Sequence, residues 1–330
     1  MGIRMKDVSS LTRNDVSPVT MNDVPVITTN DVSFLTWNIY RGADITPLAV
    51  ITPNSVTQVF RQFLATNFPV RAQAIAREIA LTKPDLIGLQ EADKWVLNIP
   101  GFSIVTYDQI QILLDALKEI GLIYEVAALN ENTNVQNLPD SNGNTISIFD
   151  RDAILIRKDS KLTVIRSQSA NFSARFPPFI RGWSAVDASV NGHVFRMITT
   201  HLEPLDPSIR LAQTLELING PANTDLPLIL SGDLNSPPNI PVLNVPYTTL
   251  INAGFRDAWS ERGAGNGFTA VQGADLLNAA SNLFTRIDYI LFKNGWNPIK
   301  AELTGESQSD RTSTGLWPSD HAGVFATLNL

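Results

Sequence analysis

Apolar positions recur along the chain in two rhythms. Over residues 55–83, "SVTQVFRQFLATNFPVRAQAIAREIALTK", they return at three- and four-residue spacing, which predicts amphipathic helix. Pro69, just after Asn67-Phe68, predicts that this stretch splits in two. "DQIQILLDALKEIG" predicts a helix capped by Asp108 and stopped by Gly121, and "SIRLAQTLELING" predicts another. Around them lie short strand-like runs: "FLTW", "LIGLQ", "RDAILIRKD", "LPLILSG", "RIDYILF" and "HAGVFATLNL". "WSAVDASVNGHVFRMITTHLEP" predicts a hairpin turning at Asn191-Gly192. A two-residue turn there pairs positions whose numbers sum to 383, so His201 falls opposite Gly182 and beside Arg181.

Residues 7–38 add an eight-residue repeat: "DVSSLTRN", "DVSPVTMN", "DVPVITTN" and "DVSFLTWN". Three short copies cannot bury a core, and Asn-Asp at each junction is turn chemistry. Residues 1–30 are therefore expected to form a flexible or edge-hugging extension, with one α/β domain over residues 31–330. No Gly/Ser linker or charge block divides that span.

Composition narrows the chemistry. With 44% hydrophobic and 17% charged residues, a packed core is expected rather than disorder. No cysteine is present, which excludes disulfides, thiolate zinc sites and a cysteine nucleophile. The net charge of -7 gives no global basic field to attract nucleic acid. There is no run of 18 apolar residues, and "MGIRMKDVSS" lacks a signal-peptide core, although a leader removed earlier would leave no trace.

Polar residues cluster where the strand-like runs end or begin. Asn38 follows "FLTW", Glu91 follows "LIGLQ" and His201 follows "MITT". Asp233 and Asn235 follow "LILSG", Asp288 opens "YILF", and Asp320-His321 precede "AGVFATL". Singly, each has an ordinary explanation as a turn or cap residue. Together they predict one lined cleft. Arg181 beside His201 suits a phosphate oxygen. Glu91 and Asp320 with Asn38 form a hard oxygen set matched to Mg²⁺, Mn²⁺ or Ca²⁺. With His201, His321, Asp233 and Asn235 these are the parts for metal-assisted attack of water on a phosphorus ester. His193 fits none of this and is expected on the surface.

The segments "TWNIYRG", "IGLQEAD", "THLEP", "SGDLNSPP", "RIDYILF" and "PSDHAGVFATL" resemble, in order, the motifs of the endonuclease/exonuclease/phosphatase superfamily, which includes DNase I-like nucleases. The resemblance implies a four-layer α/β sandwich, two central mainly antiparallel sheets flanked by helices, with the site at one edge. It implies Glu91 as principal metal ligand with Asn38 and Asp320 nearby, and Asp233 as the residue that orients or deprotonates water. It gives Asn235 and Arg181 to the scissile phosphate, and His321 to the same group with Asp288 behind it. His201 resembles a second histidine of the DNase I-like branch, its carboxylate partner falling at Asp150 or Asp152.

The substrate expected first is a nucleic-acid phosphodiester, DNA or RNA, with Arg41, Arg151, Arg157, Arg175, Arg181 and Arg286 as candidate backbone contacts. A sphingomyelinase-like, inositol-phosphate or phospholipid headgroup substrate is the alternative, drawing on the apolar loop "ARFPPFIRGW". A non-catalytic binding protein on the same scaffold is the third reading. The stretch "GFTAVQGADLLNAASNLFTRIDYILF" is similar to bacterial members of the superfamily.

Overall fold

The computed structural model describes residues 30–330. The three upstream octads, apart from Asn30, lie outside the described residues. In chain order the strands are β1 (Asp31–Asn38), β2 (Leu86–Gln90), β3 (Lys94–Asn98), β4 (Val105–Asp108), β5 (Tyr124–Pro139), β6 (Thr145–Arg157), β7 (Leu162–Asn171), β8 (Gly182–Val190), β9 (His193–His201), β10 (Leu228–Asp233), β11 (Arg256–Asp257), β12 (Asp288–Lys293), β13 (Asn297–Thr304) and β14 (Gly323–Asn329). The helices are α1 (Pro53–Ala65), α2 (Phe68–Thr82), α3 (Gln109–Glu119), α4 (Pro207–Asn219), α5 (Val245–Asn252) and α6 (Ala258–Arg262).

The strands form two sheets. One runs β13-β14-β1-β2-β6-β3-β4, with β5 also paired to β6; the other runs β11-β12-β10-β9-β8-β7. Most neighbours are antiparallel, but β1 with β2 and β10 with β9 are parallel. The hairpin of β8 and β9 keeps the register set by its Asn191-Gly192 turn, ending at Trp183 opposite Thr200.

Alternation along each strand builds the layers. In β1, Val32 and Phe34 point into the core between the sheets, while Leu35 and Trp37 point outward under α2 and α3. In β10, Ile229 joins the inter-sheet core and Leu228 and Leu230 pack beneath α4 and α5. Phe34 meets Phe195 and Trp296 edge-on across the gap, with ring centroids 6.0 and 5.5 Å apart. Burying each such side chain contributes roughly 1.5–3 kcal/mol. The result is a DNase I-like α/β sandwich with helices on both outer faces.

The helix break occurs as the proline position predicts. Asn67 takes a left-handed conformation (φ 41) and α2 starts at Phe68-Pro69. Asp108 caps α3 by accepting from the Gln111 amide, and Gly121 follows its end at φ 82. No helix among the described residues is long and apolar enough to cross a membrane.

Candidate active site

The inter-sheet core changes character toward one end. In β1 the inward face reads Val32, Phe34, Thr36, Asn38; in β9, Phe195, Met197, Thr199, His201; in β10, Ile229, Ser231, Asp233. Each strand thus passes from apolar through hydroxyl to amide, imidazole or carboxylate. The registers align these ends: Asp233 lies beside His201 on β9 and Asp288 on β12, and Asn38 beside Gln90. The sheets approach closely just below. A Cβ on Gly88 would sit 2.5 Å from the Thr199 hydroxyl and 2.9 Å from that of Ser231.

Three residues at this end hold left-handed backbone conformations without being glycine: Tyr40 (φ 59), Glu91 (φ 53) and Asn235 (φ 48). Such geometry costs on the order of 1–3 kcal/mol per residue and persists only where neighbours enforce it. Arg71 supplies part of that enforcement. Its buried guanidinium donates to the carbonyls of Thr66, Ile39, Tyr40 and Pro318 at 2.8–3.0 Å, tying the segment after β1 to the segment before β14. Its one sequence signal is a charged residue on the apolar stripe of α2 beside Ala72 and Ile75. Ser319 donates to the Asn38 carbonyl (2.6 Å) and the Trp37 indole to that of His321 (2.9 Å), closing the same junction.

Asp233 is the hub. Its Oδ2 accepts from Asn38 Nδ2 at 3.2 Å and faces His201 Nε2 at 3.4 Å and His321 Nε2 at 3.9 Å. Its Oδ1 accepts from the Asn235 amide at 2.9 Å. Burial first, then repulsion from Asp288, pushes the Asp233 carboxyl up to about 7. His321 Nδ1 pairs with Asp288 at 2.9 Å. Burial alone would favour a neutral ring, but Asp288, Asp320 and Asp233 outweigh it and keep His321 protonated well above the ordinary histidine range. Burial and repulsion from Glu91 raise Asp320 to about 6, against the pull of His321.

Glu91 accepts from both the backbone amide and Nε of Arg41, at 3.1 and 3.2 Å. Burial opposes its ionisation, but the Arg41 guanidinium and the two hydrogen bonds from Arg41 hold it well below the usual carboxylate range. Glu91, Asn235 and Asp320 are partly exposed, whereas Asn38, His201, Asp233, Asp288 and His321 are buried. The former set the mouth and the latter the floor. Asn235 spends its side-chain amide on the Leu202 carbonyl (3.0 Å).

Two expectations need correction. His201 Nδ1 has no carboxylate partner; Arg181 stands 3.1 Å from it, and Asp150 lies behind Arg181 at 3.2 Å. Asp152 is instead held by Asn132 at 2.8 Å. The reason is reach: Arg181, just outside the hairpin, fills the space between ring and carboxylate. The candidate backbone-contact arginines are also mostly committed elsewhere. Arg151 pairs with Asp108, Arg157 with Asp85 and Asp159, and Arg286 with Asp257 while stacking over Tyr289. Arg175 is exposed, and His193 sits exposed beside the hairpin turn.

The donor set suits a hard divalent cation. Buried carboxylates outnumber cations here, and Asp288 Oδ1 has no hydrogen-bond partner. Asp233, Asp288 and His321 also bring one ligand atom each to within 4.8 Å of one another. Of that trio His321 already commits Nδ1 to Asp288, so the acidic and amide oxygens are the better donors.

The profile of the endonuclease/exonuclease/phosphatase family matches residues 35–321. No curated protein matches in sequence. Among solved structures, D. rerio TDP2 in complex with a single-strand DNA product aligns over 91% of this chain and 99% of its own, at 17% identity and TM-score 0.56. The Bacteroides thetaiotaomicron VPI-5482 mannosyl-6-phosphatase Bt3783 aligns over 91% and 100%, at 16% identity and TM-score 0.58. A family protein from Leptotrichia buccalis C-1013-b aligns over 91% and 100%, at 14% identity and TM-score 0.62. At these identities the likeness establishes the fold, and the profile match establishes the kinship. The chain belongs to the endonuclease/exonuclease/phosphatase family, whose members are phosphoesterases.

Proposed function

We propose that this chain is a divalent-metal-dependent phosphodiesterase that cleaves a P–O bond by attack of water. The observation that carries the reading is Asp233: one carboxylate raised to about 7, flanked by Asn38 and two imidazoles within 3.2–3.9 Å. A base with that affinity for protons is matched to chemistry near neutral pH.

Asn38, Glu91 and Asp320 are assigned to the cation, Mg²⁺ or in its place Mn²⁺ or Ca²⁺. When bound, it supplies Lewis-acid polarisation of a phosphoryl oxygen and charge neutralisation. Asp233 orients the attacking water and accepts its proton as the new O–P bond forms and the leaving oxygen departs. His321, protonated and fixed in orientation by Asp288, donates Nε2–H toward the charge that grows on the phosphoryl oxygens. His201 presents a second N–H to the same region, and Asn235 and Arg181 line the phosphate position.

For the substrate, a nucleic-acid phosphodiester is supported by D. rerio TDP2, solved with a single-strand DNA product on this fold. The arginines favour a second reading, a compact ester with a single phosphate. Arg151, Arg157 and Arg286 are held in ion pairs, so few cations are left to follow a long backbone. The apolar loop that the lipid reading draws on is a tight turn closed by the backbone of Phe176 and Phe179, with Pro177 and Pro178 exposed at its tip and both phenylalanines half-buried. A panel of plasmid DNA, RNA, bis(p-nitrophenyl) phosphate, sphingomyelin and inositol phosphates, with Mg²⁺, Mn²⁺ or Ca²⁺, tests the proposal. Turnover of the small diester above that of plasmid supports the compact-ester reading. Inertness toward every ester in all three metals overturns the enzyme reading in favour of a binding protein.

A further inference from the structure

A line of alternating charges runs beneath the site. Arg41 is buried among three carboxylates: it holds Glu91 through two hydrogen bonds, Asp93 Oδ2 at 3.8 Å and Asp150 Oδ1 at 3.6 Å. The other oxygen of Asp150 accepts from Arg181 at 3.2 Å, and the same guanidinium nitrogen is 3.1 Å from His201 Nδ1. Arg181, Asp150 and His201 are all buried. A guanidinium carries donors only. Nδ1 of His201 is therefore the acceptor of that contact, the ring is neutral, and its proton sits on Nε2, the nitrogen facing Asp233 at 3.4 Å.

We infer that Arg41 and Asp150 are positioning residues: through Arg41 they aim the Glu91 carboxylate, and through Arg181 they hold His201 as an Nε2–H donor directed at Asp233. A neutral histidine backed by a carboxylate would carry its proton on Nδ1, point a bare Nε2 at the site and act as a base. Backed by an arginine it cannot. Asp233 thus remains the only base between the two rings, and His201 supports it as a hydrogen-bond donor. The same Arg41 serves both ends of the line, because both of its Glu91 contacts fall on Oε2 and leave Oε1 unoccupied by it. Arginine is required at position 41, since a lysine offers one ammonium where three carboxylates are spread around a planar fork.

This inference rests on the phosphodiesterase reading for its purpose, but its test does not. The chain has only three histidines, so long-range proton–nitrogen-15 correlation on uniformly labelled protein in chelator resolves every ring. The wild type is expected to show His201 with bare Nδ1 and protonated Nε2 near pH 8, with His193 providing the exposed reference. Asp150→Asn keeps the shape but releases Arg181, and the His201 ring is expected to shift toward a mixture of tautomers. Arg41→Lys is expected to shift it in the same direction. Both variants should lose on the order of 10–100-fold in kcat, as supporting residues behind a site do, with a smaller change in KM. Protonated Nδ1 in the wild type, or wild-type tautomer in both variants, overturns the inference. If Asp150→Asn fails to fold, the wild-type spectrum and Arg41→Lys still decide it. An expected tautomer in a wild type that hydrolyses nothing would support the positioning line and overturn the hydrolase reading.

Discussion

Replacing Asp233 by Asn separates catalysis from structure, because the two effects carry opposite signs. The substitution keeps size and shape but removes the proton acceptor. Loss of a positioned general base costs about 10²–10⁴-fold, or about 3–5 kcal/mol of barrier. An amide at this position also turns a donor toward Asn38, His201 or His321, which surround Oδ2. Stability moves the other way. Raising the carboxyl from 3.8 to about 7 costs the folded state up to about 4 kcal/mol once pH exceeds both values. The neutral amide does not incur that cost. With bis(p-nitrophenyl) phosphate and Mg²⁺ at about pH 8, kcat should fall at least 10²-fold while the thermal midpoint, measured without metal, stays level or rises. In the wild type, activity should climb as pH rises through the Asp233 titration, since the ionised form is the base. A variant retaining a third of wild-type kcat, or losing activity together with its folded state, would refute the reasoning.

Three further outcomes follow from the geometry. The carboxyls of Asp233, Asp320 and Asp152 are raised to about 7, 6 and 8, so the unfolded chain releases its protons first and metal-free stability should fall between about pH 4 and 8. A divalent cation should then raise the thermal midpoint more at pH 8 than at pH 5; an equal shift at both would contradict the acidic-site assignment. Gly88→Ala forces a methyl against Thr199 and Ser231 and should destabilise by about 1–3 kcal/mol in urea titration, with no change expected if the sheets simply part. Deleting residues 1–29 should spare activity whereas Asn38→Ala should not; Asn30 is retained because it bonds the Leu330 carbonyl and Asn191. Equal harmlessness of the two changes would mean that Asn38 belongs to the repeat alone.

Much of this arrangement is legible in the sequence because it depends on local rules. The β8–β9 register follows from one turn, and that register alone puts Arg181 beside His201. The helix break at Asn67 follows from a proline, and the polar strand ends follow from alternation. What is not legible depends on contacts between distant segments. Strand β5, rich in asparagine and exposed along much of its length, has no apolar alternation to mark it and exists through its pairing with β6. The binding of Arg41 to Glu91, Asp93 and Asp150 joins the segments that follow β1 and β2 to the middle of β6, which no spacing rule brings together. Arg71 is visible only as a charge on an apolar stripe, with nothing to say that it holds four carbonyls. The partner of His201 is hidden for the same reason: motif order gives a carboxylate nearby, but not the arginine that stands between.

The central claim, hydrolysis of a phosphoric ester at the Asp233 end of the sandwich with a divalent cation held by Asn38, Glu91 and Asp320, is tested most directly by chelation. Bis(p-nitrophenyl) phosphate turnover should be present in Mg²⁺ or Mn²⁺, vanish in EDTA and return when excess cation is added back. Turnover that continues undiminished in EDTA would contradict the account.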